Sequence, residues 1–115
     1  MTDMTDDSVI SRFEAMLEGG TDNPMLRLTL GTAYWQNKDH RKAIEHLSQA
    51  VSDKPDYSAA WKILGRAYLD DGQLEEAERA FESGLAAAKQ NGDKQSEKEI
   101  GVFSRRLAKI KDSNV

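Results

Sequence analysis

The apolar positions of the chain recur with the 3.6-residue period of amphipathic α-helices. Between residues 58 and 71, Trp61, Leu64 and Tyr68 stand at i, i+3 and i+7, a spacing that places them on one face of a helix. A second helix is predicted to begin at Leu74, after a turn at Gly72, and to stop near Gly92; its apolar stripe consists of Ala77, Phe81, Leu85 and Ala88. The pattern therefore predicts a helical hairpin over residues 58–91.

The same pattern occurs 34 residues earlier in the chain. The segment LGTAY at residues 30–34 is matched by LGRAY at residues 64–68, and Ala43 is matched by Ala77. In this earlier unit Asn23 is the expected N-cap and Pro24 the first helical residue, while Pro55 follows the second helix. By analogy, Asp56 is the expected N-cap of the later unit. Self-similarity at this period predicts two stacked hairpins, one at residues 24–57 and one at residues 58–91.

Each unit contains a glycine inside its first helix. Glycine in a helix interior costs about 1 kcal/mol relative to alanine, so Gly31 and Gly65 need a compensating interaction. We expect it to come from close approach of the two helices of the hairpin, with Gly31 facing Ala43 and Gly65 facing Ala77.

The flanking segments resemble single helices from such units. Residues 6–20 are predicted to form an N-terminal capping helix, with Val9, Phe13 and Met16 as its apolar positions. Residues 93–111 are predicted to form a C-terminal capping helix, and its apolar residues are Ile100, Phe103 and Leu107. Caps are expected because the outermost hairpins cannot bury their end faces alone. We therefore predict one all-α domain over residues 6–115, preceded by a disordered segment at residues 1–5.

The repeated residues resemble the tetratricopeptide repeat, whose 34-residue unit has the pattern W-x2-L-G-x2-Y, then A-x3-F, then P. Its positions are matched in the second unit by Trp61, Leu64, Gly65, Tyr68, Ala77 and Phe81, and in the first by Leu30, Gly31, Tyr34, Ala43, Leu47 and Pro55. The first unit has Arg27 where tryptophan is usual. The resemblance, which extends to small free-standing bacterial proteins of this family, implies a right-handed α-α superhelix. It also implies a non-enzymatic protein-interaction module.

Composition narrows the possible chemistry. The chain has 115 residues and no cysteine, which excludes disulfides and thiolate zinc sites. Its start lacks the basic and apolar regions of a secretory signal, and no window approaches the roughly 18 apolar residues of a membrane span. We therefore expect a cytoplasmic protein that does not bind membranes. A pI of 5.2 argues against nucleic-acid binding despite the basic segment RRLAKIK.

No arrangement of residues indicates catalysis, a metal or a cofactor. His40 and His46 are the only histidines, and six residues apart they do not form an i,i+4 metal-binding pair. Both are expected on the surface. No glycine-rich phosphate loop and no nucleophile motif occurs, so we expect that the protein is not an enzyme and uses no cofactor.

A binding groove follows from the family resemblance. The superhelix has a concave side lined by the first helix of each unit, and at the lining positions the charge changes along the chain. The predicted lining residues are Met25, Leu28, Thr32 and Trp35 in the first unit, Lys62, Arg66 and Leu69 in the second, and Lys98 and Arg105 in the C-terminal helix. A groove that is apolar at one end and cationic at the other suits a peptide with an acidic or free C-terminal carboxylate. The family's carboxylate clamp pattern is not matched.

Alternative interpretations remain open. In one alternative the cations serve only to solubilise the helices, and in another the N-terminal helix fills the groove. A separate hypothesis is self-association, because residues 1–23 carry six acids and one base, whereas residues 93–115 carry six bases and four acids. The acidic end of one copy would then meet the basic end of another. The expected state is a monomer or a weak homo-oligomer.

Overall fold

The structure, a computed structural model, describes residues 7–113. These residues form six α-helices and no strand: α1 Asp7–Glu18, α2 Pro24–Gln36, α3 His40–Asp53, α4 Ser58–Asp70, α5 Leu74–Asn91 and α6 Lys94–Ser113. The predicted disorder of residues 1–5 lies outside the described residues. The prediction of an all-α protein is confirmed.

Local residue types explain where the helices begin and end. The Asn23 side chain accepts a hydrogen bond from the Leu26 amide at 2.9 Å, and Pro24 occupies the first turn of α2. Gly72 and Gly92 have φ angles of 79° and 69°, a conformation that costs glycine little and that ends α4 and α5.

The predicted N-cap of α4 is wrong. Tyr57 occupies the cap position and makes no side-chain capping bond. Asp56 lies one residue before the cap position, and its side chain bonds to no amide of α4. Its carboxylate instead accepts a hydrogen bond from Lys54 Nζ at 3.3 Å.

Replacing Asn23 with alanine should destabilise the protein by about 1 kcal/mol, because the first turn of α2 loses its side-chain acceptor. Chemical denaturation measures this loss as a shift of the midpoint at unchanged slope. Asn37, which follows α2, makes no side-chain capping bond and serves as the matched control. Equal midpoints for Asn23→Ala and the wild type would contradict the capping role.

The helices pack as stacked hairpins. Helix α2 packs on α3 and α4 packs on α5, while α3 contacts α4 and α5 contacts α6. Contacts of α4 with both α2 and α6 make these three helices neighbours in one layer, which we call the first-helix layer. The largest fully buried side chains are Leu30, Leu47, Phe81, Ile100 and Leu107.

Gly31 and Gly65 face large side chains and not the predicted alanines. A Cβ built on Gly31 would lie 2.5 Å from Leu47 Cγ, and one on Gly65 would lie 2.5 Å from Phe81 Cδ1. Real Cβ atoms do not approach other carbons so closely. Each glycine thus leaves room for the bulky residue of the opposite helix, and this accounts for its helix-propensity cost.

Helix α1 presents a different face from the predicted one. Ile10 is buried and Phe13 and Leu17 are partly buried against the core, whereas Met16 is 41% exposed. Transferring the register from α3 misplaced the apolar face, because the backbone of α1 contacts α2 alone among the described helices. In α6 the prediction agrees with the structure: Ile100 and Leu107 are buried and Phe103 packs against them.

Candidate peptide-binding surface

Arg66 of α4 lies at the centre of the first-helix layer. Its guanidinium carbon is 4.4 Å from the centroid of the Trp35 ring on α2 and 4.4 Å from that of the Phe103 ring on α6. Both distances are within the range of cation–π attraction. One side chain therefore links all three helices of the layer. Trp35 and Arg66 were predicted to line the groove, whereas Phe103 was predicted only as a core residue.

Asp70 holds the Trp35 ring in this position. The indole Nε1 donates a hydrogen bond to Asp70 Oδ2 at 2.8 Å, which joins the end of α2 to α4. Asp70 lies one helical turn beyond Arg66, so both side chains project from the same face of α4. Sequence analysis missed Asp70, although its i,i+4 spacing from Arg66 indicates that the two are neighbours.

The guanidinium of Arg66 makes no hydrogen bond or ion pair with residues 7–113. Burial lowers its pKa from the usual value, and nearby Arg106 lowers it further, while Asp70 and Glu99 raise it. An arginine stays charged at neutral pH despite such effects. This side chain therefore presents a partly desolvated positive charge whose N–H donors are unused.

Lys62 differs from Arg66 in being paired. Its Nζ donates to Glu99 Oε1 at 2.8 Å, and that bond lowers the pKa of Glu99. Lys62 thus joins α4 to α6 and offers a ligand less charge than the sequence suggested. The other two predicted cations, Lys98 and Arg105, lie exposed on α6. Neither forms an ion pair in the described part of the chain.

The apolar end of the predicted groove is partly used by the core. Leu28 and Trp35 pack against the main cluster and Leu69 against the second one. Thr32 is half-buried, and Met25 is 68% exposed. Met25 is therefore the apolar side chain that this end most clearly offers to a partner.

The expectation that His46 is a surface residue is wrong. His46 is buried and stacks on Tyr34 with ring centroids 5.5 Å apart. Its Nδ1 lies 3.2 Å from Arg27 Nη1 and its Nε2 lies 3.6 Å from a carboxylate oxygen of Glu14 in α1. Tyr34 also donates a hydrogen bond to Glu14. These contacts attach α1 to the α2–α3 hairpin.

A sequence difference between the two repeats indicates the cluster that Arg27 and His46 form. Arg27 and His46 occupy the positions that Trp61 and Ala80 occupy 34 residues later. Arginine in place of the large aromatic residue brings a polar group to the hairpin, and histidine supplies its acceptor. His40, by contrast, is partly exposed, and its Nδ1 lies 3.6 Å from Asp71.

Within 7–113 no cluster of three or more histidine, aspartate or glutamate side chains is arranged to hold a metal ion. No helix in that range has the length and apolar character needed to cross a membrane.

Stacked helical hairpins with one surface built from their first helices define a helical-repeat protein of the solenoid class. A profile of the tetratricopeptide repeat family matches residues 28–92. The chain belongs to this family, which confirms the resemblance. Proteins of the family generally mediate protein–protein interactions, and they are typically not enzymes.

Two bacterial proteins resemble most of the chain. TPR repeat-containing protein PA0015 of Pseudomonas aeruginosa is 48% identical over 99 residues, which cover 86% of this chain and 94% of that protein. The solution structure of protein BPP2914 from Bordetella parapertussis is also 48% identical, with a TM-score of 0.77 over 88% of each chain.

More distant relatives include parts of larger proteins. The crystal structure of the Sgt2 TPR domain from Aspergillus fumigatus is 30% identical, with a TM-score of 0.78 over 94% of this chain and 70% of that one. DnaJ homolog subfamily C member 3 of Mus musculus is 31% identical over 90 residues. The match spans 78% of this chain but only 17% of the mouse protein.

Proposed function

We propose that this protein is a cytoplasmic interaction module that binds a partner through the first-helix layer, with Arg66 as the receptor for a carboxylate. The observation that carries the proposal is the guanidinium between Trp35 and Phe103, charged and without a hydrogen-bond partner among the described residues. The side chain is half-buried, and a hydrogen bond to a charged donor is stronger than one between neutral groups. A ligand that uses these donors would therefore gain a strong interaction.

The geometry favours a carboxylate over other acceptors. The guanidinium packs on both rings at 4.4 Å, and its N–H groups bond to no described residue. A carboxylate matches these groups with two parallel hydrogen bonds. The stacked position also limits the rotamers of Arg66, so little side-chain entropy is lost on binding.

The rest of the surface suggests what accompanies the carboxylate. Met25 lies exposed at the start of α2, whereas Trp35 and Arg66 lie toward the C-terminal ends of α2 and α4. An extended peptide could place an apolar side chain near Met25 and its carboxylate at Arg66. The proposed ligand is therefore a peptide segment with a free C-terminus or an acidic side chain and a neighbouring apolar residue.

A test is calorimetric and NMR titration with C-terminal peptides ending in acidic or apolar residues, each as the free acid and as the amide. Arg66→Gln should weaken binding of the free acids about tenfold or more, because a hydrogen bond to a charged group contributes roughly 1.5–3 kcal/mol. Amidated peptides that end in apolar residues should lose affinity by a similar factor for the wild type, whereas those that end in acidic residues keep a side-chain carboxylate for Arg66.

The matched control is Arg105→Gln, which removes an exposed cation from α6 and leaves the stacked guanidinium intact. This variant should keep most of the affinity. Equal weakening by the two substitutions would indicate a diffuse charge effect. Chemical shifts that change elsewhere but not at Trp35, Arg66 or Phe103 would contradict the proposed site.

A further inference from the structure

The outward face of α6 carries a group of cations, of which Arg106 also places its guanidinium carbon 5.3 Å from the centroid of the Phe103 ring. Lys98, Arg105, Arg106 and Lys109 are exposed, and none forms an ion pair with the described residues. By contrast, Lys111 on the same helix bridges Glu75 and Glu78 of α5 at 3.1 and 2.9 Å. We call the four unpaired residues the α6 patch. Val102 lies among them and is 41% exposed.

The opposite end of the chain carries the complementary charge. Asp3, Asp6 and Asp7 precede or open α1, and Arg12 is the one basic residue among the first 23. Met16 of α1 is exposed. Both ends of the solenoid therefore combine a charged group with an apolar side chain, and the signs of the charges are opposite.

The helices that carry these two groups lie at opposite ends of the stack. They follow one another in the order α1, α2, α4 and α6 across the layers, and α1 has no contact with α6. Neighbouring helices lie roughly 8–10 Å apart, so the axes of α1 and α6 are separated by about 25 Å or more.

From these observations we infer that the protein associates head to tail, with the acidic N-terminal end of one copy bound to the α6 patch of the next. In each hairpin of the fold, the second helix returns along the first, so its start lies beside the end of its partner. When helix α1 of a second copy lies along α6 in this way, the start of α1 at Asp7 comes to Arg105, Arg106 and Lys109. Val102 and Met16 then provide the apolar contact.

Such an interface uses different patches on the two partners and therefore extends into chains or closes into a ring. It differs from the proposed carboxylate site in not using Arg66, and Arg106 is the member of the patch that adjoins that site through the Phe103 ring. The attraction should be strongest at low ionic strength, where the Debye length exceeds the 10 Å typical of 0.1 M salt.

Sedimentation velocity from about 10 µM to 1 mM provides the test. At 20 mM salt the weight-average mass should rise with concentration, and at about 500 mM salt the association should weaken tenfold or more. A protein that remains monomeric at 1 mM and low salt would overturn the inference.

Charge reversal at both ends gives a sharper test. The α6 variant Arg105→Glu/Lys109→Glu and the N-terminal variant Asp3→Lys/Asp6→Lys should each weaken association about tenfold or more, because like charges face each other. An equimolar mixture of the two variants restores opposite charges at every junction and should associate like the wild type. Arg66→Gln should associate normally, which separates this interface from peptide binding.

All substituted positions lie on the exposed face of α6 or before α1, so the variants should retain the wild-type circular dichroism and melting curve. A mixture that stays monomeric while each variant is folded would refute the pairing of these two ends. Association of either single variant at wild-type strength would refute it as well.

Discussion

Gly65→Leu should lower the melting temperature by about 12 °C. A Cβ at this position would lie 2.5 Å from Phe81 Cδ1, and Phe81 is 1% exposed, so its ring has no free space to move into. Overpacking of this kind costs about 3 kcal/mol, and each kcal/mol corresponds to roughly 4 °C in a domain of this size. Differential scanning calorimetry measures the change directly.

Gly101→Ala is the matched control for this substitution. Gly101 also lies in a helix, but a Cβ built there would meet only the guanidinium end of Arg105, at 3.4 Å. Alanine should therefore stabilise α6 by up to about 1 kcal/mol through its helix propensity. If Gly65→Leu melted at the wild-type temperature, the close approach of α4 and α5 at Gly65 would not hold.

The stability of the protein should fall as the pH is lowered from 7 to 5, before the carboxylates titrate. Burial lowers the pKa of His46 below its usual 6.5; Glu14 opposes this shift and Arg27 adds to it, while Glu45 raises the pKa slightly. Because Arg27 can only donate, Nδ1 must accept its hydrogen bond and the imidazole is neutral. Protonation would set an N–H group against the guanidinium.

The sign follows from proton uptake in the two states. Below pH 6.5 the unfolded chain binds a proton at His46 that the folded protein takes up only at lower pH, so stability decreases as pH falls. The contribution is fully present above pH 6.5 and is lost through the window below it. Asp22 and Asp93, whose pKa values are lowered mainly by hydrogen bonds from Arg27 and Ser96, add their losses only below about pH 4.

His46→Gln keeps a hydrogen-bond acceptor for Arg27 but cannot titrate, so urea unfolding between pH 7 and 5 should lose most of its pH dependence in this variant. His40→Gln removes the other histidine, which lies outside the cluster, and should keep the wild-type slope. The same slope for His46→Gln and the wild type would place the titrating group elsewhere. Loss of α1 contacts at low pH would appear as faster amide exchange around Glu14.

Arg66 illustrates what a single sequence can and cannot predict about a site. Its position on the first helix of the second repeat could be inferred from the repeat register alone. Its contacts could not, because Trp35 is 31 residues before it and Phe103 is 37 residues after it. Lys62 has the same spacing signal as Arg66, yet it is bonded to Glu99, and only the packing of α6 on α4 separates the two cases.

The sequence by itself determined the helices, the 34-residue repeat and the family, because apolar spacing, caps and turn glycines act over a few neighbouring residues and need no tertiary information. Tertiary structure alone decided which large side chain each helical glycine accommodates, that His46 is buried, and that Arg66 keeps unused donors between two rings. These features depend on which helices lie side by side and on the rotation of each about its axis. A rotation by one residue, about 100°, exchanges a buried side chain for an exposed one, as Met16 and Leu17 of α1 show.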